Sequence, residues 1–183
     1  DAVPFVIESV EPGKETGKQH FEYLAEFRRF LQWRRGDAIL LGEANVEPQE
    51  NEQYFGKTGD TGIHMMFNFF VNQHLFYALA THDPGPLIAA LEATSRMPPA
   101  AQWVNFLRNH DELDLGRLSD EQRAAVFARF APEADMRLFG RGIRRRLAPM
   151  LGDRQHEELA YSLMFSLPGC PVIRFGDELR MGD

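Results

Sequence analysis

The sequence predicts an α/β fold built on a parallel sheet, and three observations predict it. Short apolar runs alternate along the chain with segments of helical periodicity. The apolar runs are nearly continuous, as in strands buried on both faces, and do not alternate as in a half-exposed antiparallel sheet. Several of the runs end on an acidic residue.

The elements follow in order. Residues 1–7 read as the tail of a strand. Thr16 to Arg35 reads as a helix, because Phe21, Leu24, Phe27, Phe30 and Leu31 recur at three- and four-residue spacing. Thr16 with Gln19 fits a capping box and Gly36 fits a stop. Ala38-Ile39-Leu40-Leu41 reads as a buried strand ending at Gly42-Glu43, and the polar, Gly-rich residues 46–62 as a loop. His64 to Phe69 is the next strand, with a helix through Ala80 behind it. Asp83-Pro84 opens a further helix that Pro98-Pro99 breaks. Trp103 to Leu107 is a strand running into Arg108-Asn109-His110-Asp111-Glu112. Ser119 to Phe130 is a helix with Ser119 and Gln122 as its capping box. Ile143 to Leu151 reads as a short basic helix, Asp153 caps a longer one to Leu167, and Val172 to Phe175 is the last strand, ending at Gly176-Asp177-Glu178.

Composition narrows the function. The 183 residues suffice for one domain, and the formal net charge is −7. A nucleic-acid binder usually shows a basic stripe, so a nucleic-acid partner is not expected. The one dense basic run, Arg141 to Arg146, is flanked by acidic stretches and reads as a helix surface laced with salt bridges. A neutral substrate such as a sugar is permitted. No strand is followed by a Gly-rich phosphate fingerprint, which weighs against a dinucleotide fold. The single cysteine, Cys170, excludes an internal disulfide and reads as a buried, inert thiol. No apolar run approaches the ~20 residues of a membrane helix, so no membrane partner is expected. The chain opens on Asp1 without an initiator Met and reads as an internal piece of a longer protein. Cysteine usage points to the cytoplasm.

The strand-end acids carry the chemistry. Glu43 follows one apolar run, Asp111 another, and Asp177 and Glu178 a third, while Asp1 precedes a strand tail. In parallel β/α folds those ends gather on one face, where active sites lie. Glycoside cleavage needs such a gathering. One carboxylic acid protonates the departing oxygen, and in retaining enzymes a second carboxylate about 5–5.5 Å away attacks the anomeric carbon. One carboxyl must keep its proton while the other stays ionised, so their surroundings must differ.

Asp1-Ala2-Val3-Pro4-Phe5, Gly42-Glu43-Ala44-Asn45 and Phe106-Leu107-Arg108-Asn109-His110-Asp111-Glu112 resemble three conserved regions of the α-amylase family of glycoside hydrolases, in that family's order. Gly142 to Pro149, Phe165 to Gly169 and Phe175 to Asp183 extend the resemblance over nearly the whole chain, toward the branch that turns maltose into trehalose. The resemblance implies that residues 1–183 are one partial catalytic domain, the second half (about strands 4–8) of a (β/α)8 barrel whose first half lies upstream. It implies Asp1 as the nucleophile that forms a β-glucosyl-enzyme and Glu43 as general acid and then base. It implies Asp111 as the stabiliser of the oxocarbenium-like transition state, with His110 and Arg108 as substrate contacts. The implied partner is an α-linked glucose disaccharide or oligosaccharide. The implied reaction is isomerisation of maltose to trehalose by intramolecular transglucosylation, without a cofactor. Relatives often bind calcium, through ligands that would lie mostly upstream, so no metal residues are expected here. Ile173-Arg174-Phe175-Gly176 departs from the aromatic residues commoner in relatives, and Leu179-Arg180 from the commoner Ile-Gly.

Alternative functions are an α-glucosidase or α-amylase type of hydrolase on the same site, and a catalytically inactive carbohydrate-binding relative, against which the intact Asp1, Glu43 and Asp111 argue. Asp177 and Glu178 are expected to fix a loop. His64, His74 and His82 are expected to be structural or exposed. Phe67, Phe69, Phe70, Phe76 and Trp103 are expected to pack. A full barrel takes about 250 residues, so the isolated chain is expected to be unstable or inactive.

Overall fold

The structure is a computed structural model that describes residues 2–13 and 17–183. In chain order it contains α1 (Ala2–Ile7), β1 (Glu8–Ser9), β2 (Lys18–Gln19), α2 (Glu22–Arg34), β3 (Leu41–Gly42), α3 (Asn51–Phe55), β4 (Met65–Phe67), α4 (Phe69–Thr81) and α5 (Gly85–Ala93). There follow β5 (Gln102–Phe106), β6 (Leu113–Asp114), α6 (Asp120–Phe130), β7 (Arg137–Leu138), β8 (Gly142–Ile143), α7 (Leu147–Leu151), α8 (Arg154–Ser166) and β9 (Cys170–Val172). The chain divides into two compact units, residues 1–67 with 95–104, and residues 68–94 with 105–183.

The first unit carries the parallel pairing that the apolar runs predict. Leu41 and Gly42 of β3 pair with Met65 and Met66 of β4, and Met65, Met66 and Phe67 pair with Gln102, Trp103 and Val104 of β5, all parallel. Under this sheet pack Leu24, Tyr54, Phe55, Ile63, Met66 and Trp103. Trp103 meets Phe55 edge-on at 5.2 Å, a packing role as expected.

Several expectations fail in this unit, among them the loop expected at 46–62, where Asn51–Phe55 forms a short helix that buries Tyr54 and Phe55. Residues 2–7 form a helix and not a strand tail. Pro4 sits in its first turn, where a missing N–H costs nothing, whereas a central ladder would need that donor. The helix expected from Thr16 starts at Glu22, because Lys18–Gln19 pairs antiparallel with Glu8–Ser9. Gln19 is therefore unavailable as a capping residue, and Thr16 lies outside the described residues. The run at Ala38–Leu41 is not buried on both faces. Ile39 is 59% and Leu41 43% exposed, because β3 ends the strand order and has no neighbour on one side among the described residues. On α2, Phe27 and Phe30 are likewise exposed, and Leu24 and Arg28 alone are buried.

His64 ties β3 to β4. Its Nδ1 accepts a hydrogen bond from Leu40 N at 2.9 Å, and its Nε2 lies 3.0 Å from the Gln32 side-chain amide. Protonation would forfeit the Leu40 bond. Burial, and then the charge of Arg28, hold the ring below the usual histidine value of 6.5. A folded value below the unfolded one means that the stabilisation is complete above 6.5 and is lost as pH falls through the lower folded value. NMR titration of the full-length protein is expected to place His64 below 6.5; a midpoint at or above 6.5 would contradict this bonding.

The second unit is built around α4, which is apolar nearly all round and correspondingly buried. It packs against α5 and α6. Its core includes Leu75, Phe76, Leu107, Leu115, Val126 and Ile143. The predicted caps are present: the Ser119–Gln122 capping box opens α6, and Asp153 accepts from His156 N at the start of α8. Strand β9 is the neighbour of β5 in the strand order.

Here too some expectations fail. Residues 143–146 do not begin a helix. Gly142–Ile143 forms the middle strand of an antiparallel sheet, between Leu113–Asp114 and Arg137–Leu138, and α7 starts only at Leu147. The Arg141–Arg146 run therefore lies around a strand and not on a helix surface. The last strand is Cys170–Val172, earlier than expected, because Asp177 N turns back to Arg174 O at 3.0 Å. Cys170 is exposed and not buried, since β9 lies at the other end of the strand order. No helix among the described residues is long and apolar enough to cross a membrane.

Candidate carboxylate site

The three strand-end acids are placed as follows. Asp1 lies outside the described residues. Glu43 directly follows β3 in the first unit and is half-buried. Because β3, β4 and β5 are parallel, Glu43 stands at the edge where all three strands end. Asp111 follows β5 by five residues, in the second unit, and is also half-buried, beside the exposed His110.

The turn that carries Asp111 is held from beneath. Asn72, buried on α4, donates from Nδ2 to Phe106 O at 2.6 Å and to Leu107 O at 3.2 Å. Its neighbour Gln73, fully buried, accepts from Arg117 N at 2.7 Å and fixes the far end of the same segment. Asn109 Oδ1 accepts from Asp111 N at 3.2 Å, closing an Asx turn. His110 Nε2 lies 3.2 Å from Asp111 Oδ2, and both side chains remain open to solvent.

Arg108 is the deepest of the predicted site residues among those described, at 2% exposure. It donates from Nε to Arg145 O at 3.0 Å and from Nη2 to Asp111 O at 2.9 Å. Its Nη1 is buried without a partner among the described residues. Burial, and then the charge of Arg174, push its value down to about 10, against the pull of Asp177 and Glu112. A value of about 10 still leaves the guanidinium charged at neutral pH. The side chain faces backbone carbonyls, so it holds the Asp111 turn in place.

Asp177 and Glu178 fix a loop, as expected. Asp177 is 4% exposed and accepts from Arg146 Nη2 at 2.9 Å, while Glu178 accepts from Gly176 N at 2.7 Å. Arg180 clamps the same loop to α8 through a forked pair with Glu157.

Asn72 and Gln73 were not singled out from the sequence. Their signal was there: two amides in the middle of Phe69-Phe70-Val71-Asn72-Gln73-His74-Leu75-Phe76, where every helix face is apolar. A buried amide in such a helix must have partners. Asn72→Leu removes the donor shared by the Phe106 and Leu107 carbonyls and is expected to cost about 1–3 kcal/mol. Chemical denaturation of the full-length protein reads this, and an unchanged midpoint would contradict it.

A half-buried carboxylate beside an exposed imidazole, on a turn anchored by buried amides and an arginine, is suited to hydrogen-bonding the hydroxyls of a neutral ligand and to facing developing positive charge.

No family model matches the chain. The trehalose synthase of Thermus thermophilus is 40% identical over the whole chain, which covers 19% of that protein. The trehalose synthase/amylase of Mycolicibacterium smegmatis is 39% identical over the whole chain, which covers 31% of that protein. The chain thus spans at most about a third of these relatives. Among solved structures, sucrose 6F-phosphate phosphorylase from Thermoanaerobacter thermosaccharolyticum superposes with a TM-score of 0.65 at 19% identity, over 100% of this chain and 39% of that one. An α-amylase from H. orenii gives 0.61 at 20% identity, over 88% and 27%. At these identities the superpositions show a shared fold.

Proposed function

We propose that the chain belongs to the α-amylase family of glycoside hydrolases and that its parent protein is a retaining α-glucoside-active enzyme that isomerises maltose to trehalose. The observation that carries the reading is the placement of acids after parallel strands, Glu43 after β3 and Asp111 after β5, in a chain 40% identical along its length to a trehalose synthase. We propose residues 1–183 as the second half of a (β/α)8 barrel. The exposed Ile39 and Leu41 at the free side of β3 support a sheet that continues beyond it.

In this reading Asp1 attacks the anomeric carbon of the non-reducing glucose of maltose. Glu43 gives its proton to the departing glycosidic oxygen, so the C1–O bond breaks as the Asp1–C1 bond forms. Asp111, steadied by Arg108 and the Asn72 amide, faces the positive charge that develops on the ring, and His110 holds a ring hydroxyl. The freed glucose turns within the pocket. Glu43, now a carboxylate, takes the proton from its anomeric hydroxyl, and that oxygen displaces Asp1 from C1. Inversion twice gives an α,α-linkage, and no water is consumed.

The test is incubation of the full-length protein with maltose and chromatography of the products. Trehalose as the main product supports the isomerase. Glucose alone would move the assignment to a hydrolase, and no turnover of maltose, trehalose or longer glucans would move it to a binding relative.

A further inference from the structure

We infer that the second unit carries an oxyanion site, a pocket of about 450 Å³ walled by Arg144, Arg145, Arg146 and Arg174, that takes a small phosphate-bearing ligand. The inference does not depend on the catalytic roles proposed above.

Four guanidiniums line the pocket against Asp135 and Asp183 in its wall, with Asp177 paired to Arg146, so one positive charge remains in excess among these residues. Arg145 commits its donors to Phe130 O, Pro149 O and the Asp183 carboxylate. Arg146 commits Nη2 to Phe175 O and Asp177, while its Nε is buried without a partner. The guanidiniums of Arg144 and Arg174 have no hydrogen-bond or ion-pair partner among the described residues, although Arg174 is half-buried. A half-buried, unpaired guanidinium among three others is unfavourable unless an anion enters.

The pocket already shows its preference. The Asp183 carboxylate sits on Arg145 Nε at 3.3 Å and on Arg146 N at 2.5 Å, so a carboxylate uses one wall and leaves Arg144 and Arg174 open. Guanidinium forks match the paired oxygens of phosphate, and the space exceeds what inorganic phosphate needs, leaving room for an attached sugar. A link to the Asp111 turn follows from the backbone: Arg145 O, within the pocket wall, accepts from Arg108, whose other arm holds Asp111 O.

The test uses the full-length protein in an amine buffer, with ionic strength held by KCl. Inorganic phosphate, glucose 6-phosphate and glucose are titrated separately by calorimetry. Saturable heat is expected with both phosphates and not with glucose. A tighter glucose 6-phosphate identifies a sugar phosphate as the ligand, and equal affinity identifies free phosphate. Removing one charge-assisted contact should weaken binding about tenfold. Arg174→Gln is the main variant. Arg144→Gln, on an exposed side chain, is the second. No saturation beyond the KCl control, or saturation undiminished in both variants, would overturn the inference.

Discussion

Glu43→Gln in the full-length protein is expected to lower kcat on maltose about a thousandfold while leaving the fold intact. The size follows from the role: a positioned acid–base group contributes about 10²–10⁴ in rate. The fold is expected to survive because Glu43 is half-buried at a strand exit and is isosteric with Gln. The loss should depend on the leaving group. Glucosyl fluoride departs without a proton, so its first step is expected to proceed in the variant and the second, which needs the base, to stall. A variant that turns over maltose at the native rate would remove Glu43 from the chemistry.

Arg108→Ala is expected to cost about 3–5 kcal/mol of stability, read by chemical denaturation. The side chain is 2% exposed and satisfies the carbonyls of Arg145 and Asp111, so truncation leaves both without a donor and opens a cavity. Not all of that is a loss. The unpartnered Nη1 and the repulsion from Arg174 disappear with the charge. Arg108→Met keeps most of the volume and should cost less, and it separates two roles. If Arg108 positions the Asp111 turn, kcat falls while KM for maltose stays within about twofold. If it touches the sugar, as the resemblance implies, KM rises instead.

Much of this arrangement was legible in the sequence, for physical reasons. A parallel strand buried in a sheet leaves a continuous apolar run, so β4 and β5 were visible at Met65–Phe67 and Gln102–Phe106. Helix caps write themselves locally, so Ser119 and Asp153 were found at the right positions. The short antiparallel ladders were not. Two-residue strands such as Gly142–Ile143 have no period to detect, and their pairing with Leu113–Asp114 depends on a segment thirty residues away. Cys170 and Leu41 failed for a related reason: an apolar run shows that a strand exists but not whether it lies at the end of the sheet. At the site, residue type suggested Arg108 as a ligand contact, and its burial against two carbonyls became visible only with the fold.

If Asp1, Glu43 and Asp111 form a retaining glycosidase machinery, a covalent glucosyl-enzyme can be trapped. Full-length Glu43→Gln protein is mixed with α-glucosyl fluoride, quenched, digested and mapped by mass spectrometry. One added glucosyl unit is expected, on the peptide that carries Asp1 and bound to that carboxylate. An unlabelled protein that still releases fluoride, or a label on any other residue, would contradict it.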